Sequence, residues 1–211
     1  MRILFQGDSI TDCYRVKEGD GVDLRMGMGY ATMCQAELMY EEPGKHVVMN
    51  RGINGNRVPD IYARMQEDII DLKPDVMSIL IGINDAGHMF DGISNPPDAD
   101  EYFEVYSKLI EDVKTALPDI KIMIMEPFCE KGKVNEQFWP EYKVEAIKRA
   151  EMAKKVAEKY DLTFIPLQDK FDEALERGNE ACWFWDGIHP TSAGHFIIKK
   201  EWMKAFKALN L

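Results

Sequence analysis

Five short apolar runs, the first three leading into turns rich in Gly, Asn, Asp or Ser and all separated by stretches with helical spacing, constrain this chain more than any other feature. They cover residues 2–5, 46–50, 76–81, 120–125 and 162–165. A regular alternation of strand and crossover helix predicts an α/β fold with a parallel sheet and helices on both faces. The 76–81 run is the expected central strand, covered on both sides. Helices are expected over residues 30–40, from Pro59 to 72, and over 100–117, 141–160, 169–177 and 191–209. In the last of these, Ile198, Trp202, Phe206 and Leu209 recur on one face and read as core. Residues 9–29 form a long connection with many glycines and acids, and connections of that length usually carry function.

At 211 residues the chain fits one domain (1–211) able to build a core without disulfides. Its formal charge of −11 argues against nucleic acid and anionic membrane surfaces as partners, and favours neutral substrates. The four cysteines make no C-x-x-C pair and are expected to be reduced. Met1-Arg2 leads straight into the first strand, and no apolar run is long enough to span a bilayer, so the expected location is cytoplasmic; a processed precursor would look the same.

The first run ends in Gly7-Asp8-Ser9-Ile10-Thr11. Glycine permits a sharp strand-to-helix turn, and a hydroxyl there stands at the sheet edge where open α/β folds bind ligands. Taken alone, the same residues also make a turn followed by a helix cap. A serine nucleophile needs a base and a group to orient it. Of four histidines, His46 falls in a strand pattern, His88 in a loop and His195 inside the last helix. His189 sits on a loop just before that helix, three residues after Asp186, so the carboxylate can reach Nδ1 and leave Nε2 for Ser9. A structural salt bridge is the competing reading of that spacing. A tetrahedral oxyanion needs converging donors, and the backbone N–H groups of Ser9 and Gly52 with the side-chain amide of Asn84 each lie beyond a separate strand.

Four blocks in order, Gly7-Asp8-Ser9-Ile10-Thr11, Arg51-Gly52-Ile53-Asn54-Gly55-Asn56, Gly82-Ile83-Asn84-Asp85 and Asp186-Gly187-Ile188-His189-Pro190, resemble those of the GDSL or SGNH hydrolases. The resemblance implies a flavodoxin-like three-layer α/β/α sandwich with a central, mainly five-stranded parallel sheet, and ester hydrolysis through an acyl-enzyme. It implies Ser9 as nucleophile, His189 as base and later acid, Asp186 as orienting carboxylate, and Ser9, Gly52 and Asn84 as oxyanion hole. The wording Gly-Asp-Ser-Ile-Thr-Asp-Cys, Gly-Met-Gly-Tyr and Ser-Ala-Gly-His is most similar to a branch of cytoplasmic bacterial acetylesterases acting on xylan-derived oligosaccharides. That branch implies an acetylated sugar as the small ester substrate, no metal or other cofactor, and a homo-oligomer.

Trp183 and Trp185 flank Asp186, and each reads either as core or as a wall for an acyl group or sugar ring. Phe128, Phe138 and Trp139 read either as packing under a loop or as the groove of a longer-chain lysophospholipase or thioesterase. Asp8 is expected to hold the turn, and Asn54 and Asn56 to brace the Gly52 loop. The carboxylates have no metal-ligand spacing with histidine, so no metal is expected. A catalytically silent carbohydrate-binding protein is the alternative from another class.

Overall fold

The computed structural model describes residues 1–17, 24–92 and 97–211. Its centre is a five-stranded, wholly parallel sheet in the order β2-β1-β3-β4-β5, formed by β1 (Arg2–Gly7), β2 (Val47–Asn50), β3 (Val76–Leu80), β4 (Lys121–Met125) and β5 (Thr163–Ile165). The register pairs Phe5 with Asn50 on one side and Gly7 with Leu80 on the other. The chain first winds outward from β1 to β2, then crosses back to β3, so the direction of winding reverses between β1 and β3. In a sheet of this order, that reversal opens a crevice at the carboxyl ends of the two strands.

Alternate strand residues feed two cores, as the two-residue period of a strand requires. Ile3 and Phe5 of β1 and Met123 and Met125 of β4 pack with Tyr30, Cys34 and Leu38 of α2 (Tyr30–Glu41) and Ile198 and Trp202 of α9 (Ser192–Ala208). Leu4, Met77, Ile79, Ile122 and Ile124 pack on the other face. There they meet Ile61 of α3 (Val58–Ala63), Leu109 and Val113 of α5 (Ala99–Ala116) and Val156 of α6 (Glu141–Lys159). This is the parallel sheet with helices on both faces predicted from the alternation of runs, and the three-layer α/β/α sandwich that the family resemblance implies. Phe206 and Leu209 pack at the edge of the first core, so the face marked on the last helix is core.

The local differences from expectation have physical causes. Ser9–Asp12 is a short helix, α1, and Ile83–Gly87 another, α4, so two of the expected loops begin as helical turns. His46 precedes β2 and His88 caps α4. The helix expected from Pro59 to 72 breaks after Ala63 and resumes as a π-helical turn over Gln66–Ile70. At the break, the Arg64 guanidinium donates to Gln6 Oε1 (2.9 Å), Asn56 Oδ1 (2.8 Å), the Arg51 carbonyl (3.0 Å) and Asp68 Oδ2 (2.8 Å). One side chain thus ties β1, the loop after β2 and the irregular turn together, and π turns in helices are commonly placed where such demands compete. Between α7 (Gln168–Leu175) and α9 lies one further short helix, α8 (Glu180–Trp183).

Trp202 is fully buried between Phe5, at 4.8 Å between ring centroids, and Phe206, at 5.0 Å. We expect Trp202→Ala to lower stability by about 3–5 kcal/mol, measured as a fall in the urea midpoint at constant slope.

Candidate active site

Ser9 opens α1 immediately beyond β1. Gly7, with φ +156°, has no room for a side chain: a Cβ there would fall on the Leu80 carbonyl and 3.0 Å from Thr11 Cβ. Asp8 caps the turn, its Oδ1 accepting from the Ile10 N–H at 3.0 Å. The strand therefore runs into a helix with Asp8 as the one residue between them, and the Ser9 side chain stands at the crevice between β1 and β3.

Ser9 Oγ lies 2.8 Å from His189 Nε2, and His189 Nδ1 lies 2.7 Å from Asp186 Oδ2. Asp186 Oδ1 accepts the backbone N–H groups of Ile188 (3.0 Å) and His189 (2.8 Å). Burial alone would push the Asp186 carboxyl up, but the hydrogen bonds from the His189 ring and these two amides outweigh it and hold the group below its ordinary value. Burial likewise pushes His189 down. The hydrogen bond and charge of Asp186, with a smaller contribution from Asp8, prevail and raise the imidazole above its ordinary value. Because Asp186 accepts the Nδ1 proton, neutral His189 presents a bare Nε2 to the serine hydroxyl. The arrangement can deprotonate an attacking hydroxyl and stabilise the imidazolium that forms.

The donors around this line differ from the expectation at one position. The Gly52 N–H is donated to Asn50 Oδ1 at 2.8 Å and is not free for an oxyanion. Gly52 is needed for close approach instead, since a Cβ there would fall on the Asp12 nitrogen and 2.8 Å from the Thr11 carbonyl carbon. Asn50, buried, also donates Nδ2 to the carbonyls of Thr11 (2.6 Å) and Met26 (2.9 Å). Following every amide from Arg51 to Val58 leaves one without an acceptor among the described residues, that of Gly55. Gly55 has φ +78° and open space around it, and its neighbour Asn54 lines the pocket beside Ser9. Asn84, on the first turn of α4, donates one Nδ2 hydrogen to the Asn56 carbonyl at 3.0 Å and keeps a second. The Ser9 N–H, first in its helix, has no acceptor among the described residues. The donor expected at Gly52 is therefore already taken, whereas the N–H of Gly55, three residues on, has no acceptor among the described residues. Only the accounting of backbone donors separates them.

A pocket of about 400 Å³ opens over Ser9 and His189, walled by Tyr14, Met28, Asn54 and Trp185 among others. Trp185 is 59% exposed, with its ring 5.1 Å from that of His189. Trp183 does not line this pocket. It packs against the core, donates Nε1 to the Gly178 carbonyl at 3.4 Å and carries the Arg177 guanidinium over its ring, because α8 turns it away from Trp185. Phe128 is buried against Phe171 and Phe184, and Phe138 stacks on Phe90 at 5.2 Å. Neither they nor Trp139 line the pocket. His195 accepts the Tyr30 N–H at Nδ1 (3.2 Å), so its Nε2 proton faces Cys13 Sγ at 3.4 Å. Burial, then the charge of His189, pushes His195 down to about 4, so it remains a neutral donor in the pocket wall. Among the described residues, no three His, Cys, Asp or Glu side chains are grouped to hold a metal ion, and no helix is long and apolar enough to cross a membrane.

Known proteins resemble this chain over most of its length. The profile of the GDSL-like Lipase/Acylhydrolase family matches residues 5–197. An acetylxylan esterase from Geobacillus stearothermophilus is 36% identical over 208 residues, which is 96% of this chain and 92% of that protein. The crystal structure of an acetylxylan esterase from the same organism superposes with a TM-score of 0.84 at 34% identity, over 97% of this chain and 93% of that one. An α/β hydrolase enzyme from the metagenome of Lake Arreo, Spain, gives a TM-score of 0.87 at 28% identity, over 100% and 96% of the two chains. The chain belongs to the GDSL-like lipase/acylhydrolase family and is a carboxylic ester hydrolase.

Proposed function

We propose that this hydrolase is a serine esterase that removes acetyl groups from short neutral carbohydrates, such as acetylated xylo-oligosaccharides, through an acyl-enzyme. The observation that carries the reading is the unbroken line of short contacts from Asp186 through His189 to Ser9, set in an open pocket with Trp185 on its wall. The likeness to an acetylxylan esterase supports the choice of acyl group and of sugar.

Ser9 Oγ attacks the ester carbonyl carbon while His189 Nε2 takes its proton. The carbonyl oxygen becomes an oxyanion, held by the N–H of Ser9, the N–H of Gly55 and the second Nδ2 hydrogen of Asn84. Collapse of this intermediate breaks the bond to the sugar oxygen, which leaves with the proton from His189. Water then attacks the acetyl-Ser9 carbonyl, His189 takes a proton from it, and acetate departs as the proton returns to Ser9 Oγ. Asp186 stays ionised throughout, holding the ring in register. An exposed tryptophan face suits a pyranose ring, which presents C–H groups on one side and hydroxyls at its edge. The rings that would have walled a long acyl groove, Phe128, Phe138 and Trp139, pack elsewhere, which weighs against a lysophospholipase or thioesterase.

Wild type should release acetate from acetylated xylo-oligosaccharides and Ser9→Ala should not; equal release by the two would sink the proposal. Among acetyl, butyryl and octanoyl esters of one alcohol, the acetyl ester should be preferred. A true long-chain enzyme would instead gain about fourfold per buried methylene, from about 0.8 kcal/mol each. Protonated His189 cannot accept the serine proton, so kcat/KM should fall tenfold per pH unit below its pKa, and that limb should lie above 6.5, the ordinary histidine value. Asp186→Asn removes what raises the ring, so the limb should move to lower pH and kcat should drop by about 10²–10⁴. Loss of one oxyanion donor in Asn84→Ala should lower kcat by about 10²–10³ with KM little changed.

A further inference from the structure

Tyr14 lies at the rim of the catalytic pocket, 72% exposed, and lines it together with Ser9 and His189. Its backbone has φ +61°, directly after Cys13 at +41°. The other non-glycine residues with positive φ among those described are Lys73, Asp161 and Asn210, none of which lines the pocket. Aspartate and asparagine tolerate this region through local hydrogen bonds, whereas a tyrosine gains nothing from it and glycine would fit without strain. Among the described residues the Tyr14 hydroxyl makes no hydrogen bond and its ring stacks on no other ring. Among the described residues neither burial nor a polar contact accounts for the side chain, so its place at the pocket is what the strain supports.

The flanking backbone holds the strained pair in place. Cys13 donates its N–H to the Ser9 carbonyl (2.9 Å) and accepts from the Met28 N–H (2.8 Å). On the other side, the Arg15 N–H donates to the Asp12 carbonyl (3.0 Å), the Arg15 Nε to the Gly52 carbonyl (2.7 Å), and the Val16 N–H to the Leu24 carbonyl (2.8 Å). The backbone on both sides of Tyr14 is therefore fixed to the turn that carries the nucleophile and to the loop after β2. A ring carried on a fixed backbone orders at low entropic cost when a ligand arrives.

We propose that Tyr14 is a specificity-determining residue that contacts substrate, stacking against a pyranose ring of the oligosaccharide while Trp185 walls the reacting ester. This rests on the carbohydrate reading above. Two aromatic surfaces on one rim, carried by segments far apart in sequence, give a chain of sugar rings more than one contact. A small aryl acetate needs only the inner part of the pocket.

The test compares an acetylated xylo-oligosaccharide with 4-nitrophenyl acetate for wild type, Tyr14→Gly and Tyr14→Phe. In Tyr14→Gly the ratio of oligosaccharide to aryl-ester kcat/KM should fall about tenfold, with the loss in KM rather than kcat, the size expected for one lost aromatic contact. Tyr14→Phe keeps the ring and should retain the ratio within about threefold. The unfolding midpoint of Tyr14→Gly should rise by about 2 °C as the left-handed strain is relieved. An unchanged ratio in Tyr14→Gly overturns the proposal, and so does an equal loss in Tyr14→Phe, which would place the effect in the hydroxyl. A wild type that cleaves the aryl ester but no acetylated sugar would bring down the carbohydrate reading itself, an outcome visible before any Tyr14 variant is measured.

Discussion

All five strands run in one direction, and the site depends on that constraint. A parallel sheet delivers every strand's carboxyl end, with its unpaired backbone groups, to a single edge, and the loops there must satisfy those groups or leave them for a ligand. Because β1 and β3 are neighbours while β2 lies outside them, Ser9 and Asn84 emerge from adjacent strands at the point where the winding reverses. Asn50 then binds three parts of that edge together, accepting from Gly52 and donating to Thr11 and Met26. Arg64 does the same for the far side of the loop, at the expense of regular helix in its own segment.

Asp8, Asp85 and Asp186 differ in how deeply they are buried and in the donors they receive, and the balance of the two decides the direction in which each is shifted. Asp186 accepts three N–H groups over its two oxygens and stays ionised despite burial. Asp8 and Asp85 accept one backbone amide each through Oδ1, from Ile10 and Val58, and burial pushes both up to about 7. The same contrast separates the two histidines of the pocket. His189 faces a carboxylate and is raised, whereas His195 faces a backbone amide and a thiol and is pushed down. Of the two histidines in the pocket, the one raised above its ordinary value is the one in contact with Ser9.

Much of this was legible in the residues. The five runs, the Gly7 turn and the spacing of Asp186 and His189 are local patterns, and local patterns are what sequence reports. The structure brings Ser9, His189 and Asp186 into one line and Asn84 into the same loop cluster. Gly52 and Trp183 were not legible. Which of two glycines in one loop has its N–H already taken depends on Asn50, and which of two tryptophans lines the pocket depends on the short helix that ends between them. Tyr14 carried no sequence signal at all, since the left-handed turn it stands in is braced on both sides by Met28, Leu24 and Gly52 from elsewhere in the chain.

What the sequence by itself determined was the fold class, the direction of the strands and the residue types available at their ends. Hydrophobic period and turn chemistry act within a few residues and leave little choice at that level. What only the tertiary structure decided was which donors remain free, which aromatic faces are exposed and which acid keeps its charge. Each of those depends on a competition for hydrogen-bond partners and for water between segments as many as 180 residues apart, as Ser9 and His189 are. A competition over that range leaves no mark in the neighbouring residues.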